Sequence, residues 1–314
     1  LAAEARLAIA ASFEREGLWK EACGAYDGWL HQYTNHARVP EVEFDRSLAY
    51  GQAGLETNAY TFLTAYLGRF PKAADAPTAR LWIGNYFFNQ GLYPAAETNY
   101  QAIYQNPDWA GLDIAFQARL WAGRAAFKRT GYANEAEYSR PLIAQLTDRE
   151  GTNGPSDLLC MAYIAYGDNL CADGESDKTN AVGKFAEAIN AYARVPATSR
   201  LAPQAWGRTA DCHFQLASGD TNRVRYVQAT NFYHRVITNE SATIDARSNA
   251  QVGMAKVFEK DSTLRDMETA RRVYRAFLKR AADEGSPHFR NSPLKARVER
   301  DLRYIESTYF KMGN

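Results

Sequence analysis

The chain has 314 residues, and its 37 basic side chains are matched by 36 acidic ones. So even a balance leaves no basic stripe for nucleic acid and no acidic tail for a cationic partner. No run approaches the roughly 18 uncharged apolar residues that a membrane-spanning helix needs.

Helical periodicity is already running at Leu1, so a leader or a longer region upstream stays an open alternative. Ile9-Ala10-x2-Phe13 precedes Gly17, and Ala22, Tyr26 and Trp29 resume the same step beyond it. Apolar residues at this spacing on both sides of a glycine predict two helices joined by a tight corner. The pattern returns as Ser47-x2-Tyr50 before Gly54, followed by Ala59, Leu63 and Tyr66. A third copy occupies Arg80 to Pro107: Ile83, Gly84 and Phe87 precede Gly91, and Tyr93, Ala96, Tyr100 and Ile103 follow. Small residues at Gly84 and Ala96 let two backbones approach while Phe87 and Tyr100 fill the space beside them.

Unit four runs from Trp121 through Phe127 to Gly131 and Tyr132, and its second helix is weak. There Ala136-x3-Arg140 breaks the pattern, and Pro141 is expected to kink or restart the helix. Unit five starts at the capping pair Ser156 and Asp157 with a helix over Leu158 to Leu170. The polar segment Cys171 to Asn180, CADGESDKTN, is expected to form a long, exposed and mobile connection. Ala188, Tyr192 and Val195 complete that unit. Unit six reads Trp206-x2-Thr209-Ala210-x2-His213, then Ala229, Tyr233 and Val236. Unit seven reads Met254-Ala255-x2-Phe258, then Ala270, Tyr274 and Phe277. A final helix over Leu294 to Met312 sets Leu302, Ile305 and Tyr309 on one face, with the charges of RVERDLR opposite.

The corner glycines Gly17, Gly54 and Gly91 recur every 37 residues, and Ala188, Ala229 and Ala270 recur every 41. Prolines at VPEVEF, FPKAADAPTA, NPDWAG, TNGPSD and VPATSRLAPQA mark the connections, because the residue before a proline is pushed out of the helical region. A shared period over six copies defines an array, residues 1–284, followed by a linker and closing helix over residues 285–314. One hairpin cannot bury its own apolar faces, so the units must stack.

These motifs resemble the tetratricopeptide repeat (TPR), whose pattern is W-x2-L-G-x2-Y, then A-x3-F, then P. Here it reads Arg80-x2-Ile83-Gly84-x2-Phe87, Ala96-x3-Tyr100, Pro107. The resemblance covers nearly the whole chain and implies an all-α fold. It further implies a right-handed superhelical solenoid of about seven TPR-like hairpins with a C-terminal capping helix.

No catalytic chemistry stands out. GxGxxG, GxxxxGK[ST], HExxH and GxSxG are all absent. The five histidines are scattered, and His213 and His234 occupy packing positions. Glu14/Glu16 and Glu135/Glu137 are expected on exposed helix faces. Cys23, Cys160, Cys171 and Cys212 form no CxxC or metal spacing, which favours buried free thiols. The chain is therefore read as a non-enzyme without catalytic residues, cofactor or metal. The alternative is a carbohydrate-binding or carbohydrate-processing α/α protein, a closed ring of helical hairpins with an aromatic inner face.

In TPR proteins the first helix of each unit lines a concave groove, so the resemblance implies a scaffold that binds another protein or a peptide segment. Carried onto this chain residue by residue, the groove positions include Leu81, Asn85, Phe88 and Asn89 in unit three. In unit four they include Leu120, Arg124, Phe127 and Lys128, and in unit six Asp211, Phe214 and Gln215. An apolar residue beside an amide or guanidinium suits an extended peptide. The carboxylate clamp of some TPR proteins needs Lys at the fifth and Asn at the ninth position of one unit, and only Asn85 fits. The linkers FPKAADAPTA and VPATSRLAPQA are similar to those of bacterial envelope TPR proteins of the outer-membrane assembly and cell-division coordinator type. They carry the expectation of a periplasmic or outer-membrane-associated location within an envelope complex. The unpaired cysteines point the other way, to a reducing compartment such as the cytoplasm.

Overall fold

A computed structural model describes residues 1–130, 135–151, 154–220, 223–260, 265–282 and 287–311. All regular elements among them are helical. In chain order they are α1 (Ala2–Arg15), α2 (Trp19–Gln32), α3 (Val39–Gln52), α4 (Glu56–Arg69), α5 (Ala76–Asn89), α6 (Tyr93–Tyr104), α7 (Asp113–Thr130) and α8 (Ala136–Glu150). There follow α9 (Asp157–Ser176), α10 (Ala181–Ala193), α11 (Ala202–Asp220), α12 (Arg223–Thr238), α13 (Ile244–Lys260), α14 (Met267–Ala282), the single turn α15 (Pro287–Arg290) and α16 (Lys295–Tyr309).

The chain divides into two compact units, Leu1–Tyr138 and Ser139–Asn314. In the first, α1/α2, α3/α4 and α5/α6 form successive antiparallel hairpins, and α7 packs on α6. In the second, α9/α10, α11/α12 and α13/α14 do the same, and α16 packs on α14.

The corners follow from three glycines. Gly17, Gly54 and Gly91 adopt φ of +72°, +77° and +73°, left-handed values that a side chain would resist. Each is followed by a leucine whose amide reaches back five residues: Leu18 to Phe13, Leu55 to Tyr50 and Leu92 to Phe87, at 2.8 to 2.9 Å. That bond closes the first helix, and the carbonyl of the same leucine accepts the first amide bond of the next. A 37-residue spacing of glycines thus becomes a 37-residue spacing of hairpins.

The signature alanines carry the packing. Ala22, Ala59, Ala96, Ala188, Ala229 and Ala270 have no exposed surface, because each sits where the second helix crosses its neighbour. Beside them the tyrosine rings settle on backbone. A Cβ added to Gly84 would lie 2.5 Å from the Tyr100 ring, and one on Gly167 would lie 2.4 Å from Tyr192. Tyr233 covers Gly253 in the same way, also at 2.4 Å.

Several expectations need correction. Residues 171–176, expected in a mobile loop, are the last turns of α9. Gly174 packs against Lys184 and Phe185, and Asp173 pairs with Lys184 at 2.6 Å. The connection shortens to Asp177–Asn180, where Asp177 accepts from the Thr179 amide at 2.9 Å. Pro141 does not interrupt α8, which runs through it. Prolines 40, 77 and 94 sit in the first turn of α3, α5 and α6, where a missing amide hydrogen costs nothing, and so they open helices. Glu135 is buried beside Gly123 rather than solvated. On α16, Val298 and Ile305 face inward with Asp301, whose carboxylate lies 2.8 Å from Lys256, while Tyr309 is exposed and accepts from Arg265. Gly131, Tyr132 and Met312, expected helix ends, lie outside the described residues.

The tyrosine-on-glycine contact gives a direct test. Gly84→Ala and Gly167→Ala should each cost about 1–3 kcal/mol, since a methyl has no room against the ring. Gly207 in α11 has nothing within 4 Å of an added Cβ. Gly207→Ala should therefore be neutral or stabilise by about 0.4–1 kcal/mol. Chemical denaturation of the three variants checks this, and equal losses at all three would refute the close-approach account.

Candidate functional site

Within each unit the first helices of successive hairpins approach one another, α5 with α7 in the first, and α9 with α11 and α11 with α13 in the second. Side chains on these faces lie side by side across units of the repeat. The expected groove residues lie on α5, α7 and α11.

In the first unit, Asn85 and Arg124 converge on Tyr100. The Tyr100 hydroxyl donates to Asn85 Oδ1 at 2.8 Å. Burial pushes the Tyr100 hydroxyl well above its ordinary value, and the positive charge of Arg124 opposes that shift. The Arg124 guanidinium lies 4.7 Å from the centre of the Trp121 ring. Phe88 meets Trp121 and Tyr93 edge-on, with centroids 5.4 Å apart in both cases. Aromatic edges, ring faces and a guanidinium here form one continuous surface. One turn beyond Asn85 and Arg124, Asn89 and Lys128 are exposed. Leu81 and Phe127 are half-buried, Leu81 against the α6–α7 core. Leu120 is 3% exposed and belongs to the interior rather than to a groove.

The second unit repeats the arrangement with acids. Asp211 accepts from the Tyr233 hydroxyl at 2.6 Å, as Asn85 does from Tyr100. Phe214 packs edge-on to Tyr226, and Gln215 donates to Glu175 at 3.5 Å. Two members of this face escaped the sequence reading. Asp168 accepts from Tyr192 at 2.8 Å and pairs with Arg208 at 3.1 Å. The signal was present: Gly167-Asp168 and Ala210-Asp211 both repeat Gly84-Asn85, a small residue followed by an acceptor opposite the second-helix tyrosine. Gly167 and Asp168 both fall inside the helix expected over Leu158 to Leu170, and the first helix of that unit runs six residues further than expected.

Asp211 is exposed by surface area, yet the bulk of protein near its carboxyl still strips away part of its solvation. Burial lifts its carboxyl above the ordinary range, while the Tyr233 hydroxyl, Arg208 and Arg297 pull it down and Asp168 adds to the rise. The Asp168–Arg208 pair is partly exposed on both sides, at 33% and 49%, and such pairs contribute little to stability. His213, a packing residue as expected, stacks on Phe232 with centroids 5.7 Å apart. Burial first, and Arg225 second, lower its pKa, which favours the neutral ring. Among the described residues no group of three or more His, Cys, Asp or Glu side chains could hold a metal ion. No described helix is long and apolar enough to cross a membrane.

The hairpin architecture is that of solved tetratricopeptide-repeat proteins. The chain is similar to a tetratricopeptide repeat protein from Parabacteroides merdae, with a TM-score of 0.59 and 12% identity, over 96% of this chain and 98% of that one. It is equally similar to a Signal Transduction ATPase with Numerous Domains from Pyrococcus horikoshii that carries a tetratricopeptide repeat sensor. There the TM-score is 0.59 and the identity 11%, over 94% of this chain but only 42% of that protein. At such identities the likeness shows the fold alone: an all-α TPR array. No family model matches the sequence, and no curated protein matches it.

The raised carboxyl of Asp211 sets a pH dependence. Its proton is held more tightly in the folded chain, so the group favours folding below the ordinary carboxylate range, about pH 3.9, and that contribution is lost as pH rises through the folded value. Asp211→Asn keeps an oxygen for Tyr233 without the charge. Its melting temperature should equal or exceed that of the unsubstituted chain at pH 7, with the difference shrinking toward pH 4. A clear loss at pH 7 would mean that Arg208 and Arg297 need the carboxylate more than burial penalises it.

Proposed function

We propose that the chain is a non-catalytic scaffold that holds a peptide or protein segment along its first-helix face. The surface of α5 and α7 carries this reading: half-buried Phe88 and Trp121 and the stacked Arg124, flanked by exposed Asn89 and Lys128. Ring edges offer pockets for alternate side chains of an extended peptide. The Asn89 amide can bond its backbone, and Lys128 can meet a carboxylate by a charge-assisted bond. Arg124 adds positive field from within the fold. An acidic extended segment is the partner that this face suits. The TPR fold is compatible with the reading but does not impose it. A place in a bacterial envelope complex is proposed from the two linkers alone, and fractionation of producing cells against periplasmic and cytoplasmic markers tests it.

The groove reading is tested on exposed residues, whose loss leaves the core intact. Peptides selected from a randomised display library should be rich in Asp or Glu. The double variant Asn89→Ala/Lys128→Ala should weaken their binding about tenfold or more, the loss of a charged hydrogen bond of roughly 1.5–3 kcal/mol. Its melting temperature should stay unchanged. Unaltered affinity would remove this face from consideration. Binding on a glycan array, with no peptide enriched from the library, would favour the carbohydrate alternative.

A further inference from the structure

Two of the four cysteines, 41 residues apart, meet in the second unit. The Sγ atoms of Cys171 on α9 and Cys212 on α11 lie 2.8 Å apart, and Tyr192 Oη lies 3.6 Å from Cys171 Sγ. Two sulfurs this close either share a proton or stand one small displacement from a bond. A disulfide needs an S–S distance of about 2.05 Å and helices whose backbones come near each other. Here α9 and α11 bring Cα atoms within 8 Å. Cys171 is half-buried, while Cys212 is 1% exposed. The other two thiols, Cys23 and Cys160, are buried and lie in different units of the chain.

We propose that Cys171 and Cys212 are an oxidation site that closes into a disulfide stapling α9 to α11, with a small-molecule disulfide of the glutathione class as the oxidant. The accessible Cys171 loses its proton to solvent, and its thiolate attacks one sulfur of the oxidant and expels one thiolate, leaving a mixed disulfide. Cys212 then loses its proton and attacks Cys171 Sγ, forming the Cys171–Cys212 bond and expelling the second thiolate. The two cysteines give up two electrons, and the two released thiolates take up the two protons. Tyr192 stays in place through its bond to Asp168, so the staple forms without repacking the hairpin. The staple would fix the spacing of α9 and α11, which carry Asp168 and Asp211, whatever that face binds.

The test compares the folded chain treated with dithiothreitol and with oxidised glutathione. After glutathione, thiol titration of the denatured protein should fall from four to two. Non-reducing peptide mapping should find Cys171 joined to Cys212, and the melting temperature should rise on the order of 5 °C, as expected for closing a loop of this length. Cys171→Ser should abolish both the cross-link and the rise, with Cys171→Ala as a second variant should the serine disturb folding. Four titratable thiols after oxidation, a stable adduct of glutathione on Cys171 alone, or a cross-link joining other cysteines would overturn the proposal.

Discussion

A tyrosine ring pressed against a small residue, with its hydroxyl bonded to the side chain that follows the small residue of the partner helix, is the contact on which the α5/α6, α9/α10 and α11/α12 hairpins depend. Tyr100 lies on Gly84 and bonds Asn85, and Tyr192 lies on Gly167 and bonds Asp168. Tyr233 bonds Asp211 beside Ala210 and presses on Gly253 of the following hairpin. The ring supplies apolar area against backbone, and the bond fixes the rotation of one helix about the other. An apolar residue of similar size could supply only the first of these. Where the acceptor is missing, another is recruited: Tyr274 reaches Glu259 at 3.4 Å because Lys256 stands in the acceptor's place.

That contact constrains function. Asn85, Asp168 and Asp211 stand at positions open to a ligand, yet each already holds a tyrosine. A partner that took over their oxygens would release a buried hydroxyl, which costs about 1–3 kcal/mol. Recognition is therefore cheaper one turn further along, at Asn89, Lys128 and Gln215, where side chains have few internal duties. Each unit therefore carries its own face, with a tyrosine-bonded seam and freer groups beside it.

The hairpins were legible in the sequence because their determinants are local. A glycine at a corner and an alanine at a crossing act over a few residues, so a fixed spacing in sequence becomes a fixed spacing in space. The failures have the opposite character. Residues 171–176 read as a polar loop, but Gly174 gains Phe185 and Asp173 gains Lys184 only once α10 has folded back. Asp301 read as a solvent charge on the closing helix, but Lys256, 45 positions earlier, waits for it at 2.8 Å. Glu135 was assigned to water and is buried. Propensity and pattern describe a residue's own helix. They do not describe the partner that a distant helix brings.

The groove assignments divide along the same line. Phe88 is half-buried and Asn89 and Lys128 are exposed, an accessibility that pattern position anticipates because it fixes the direction in which a side chain leaves its helix. Leu120 took the same pattern logic into the interior, since what covers it belongs to neighbouring elements. The cysteine pair shows how a repeat can turn this limit around. A separation of 41 residues says nothing about proximity in an ordinary fold. In this stretch 41 is also the repeat spacing, from Ala188 to Ala229 and from Ala229 to Ala270. Two cysteines one period apart fall on first helices of adjacent hairpins, and those helices touch. In an array, therefore, residues are best compared modulo the period, and a pair that looks remote along the chain can be adjacent across it.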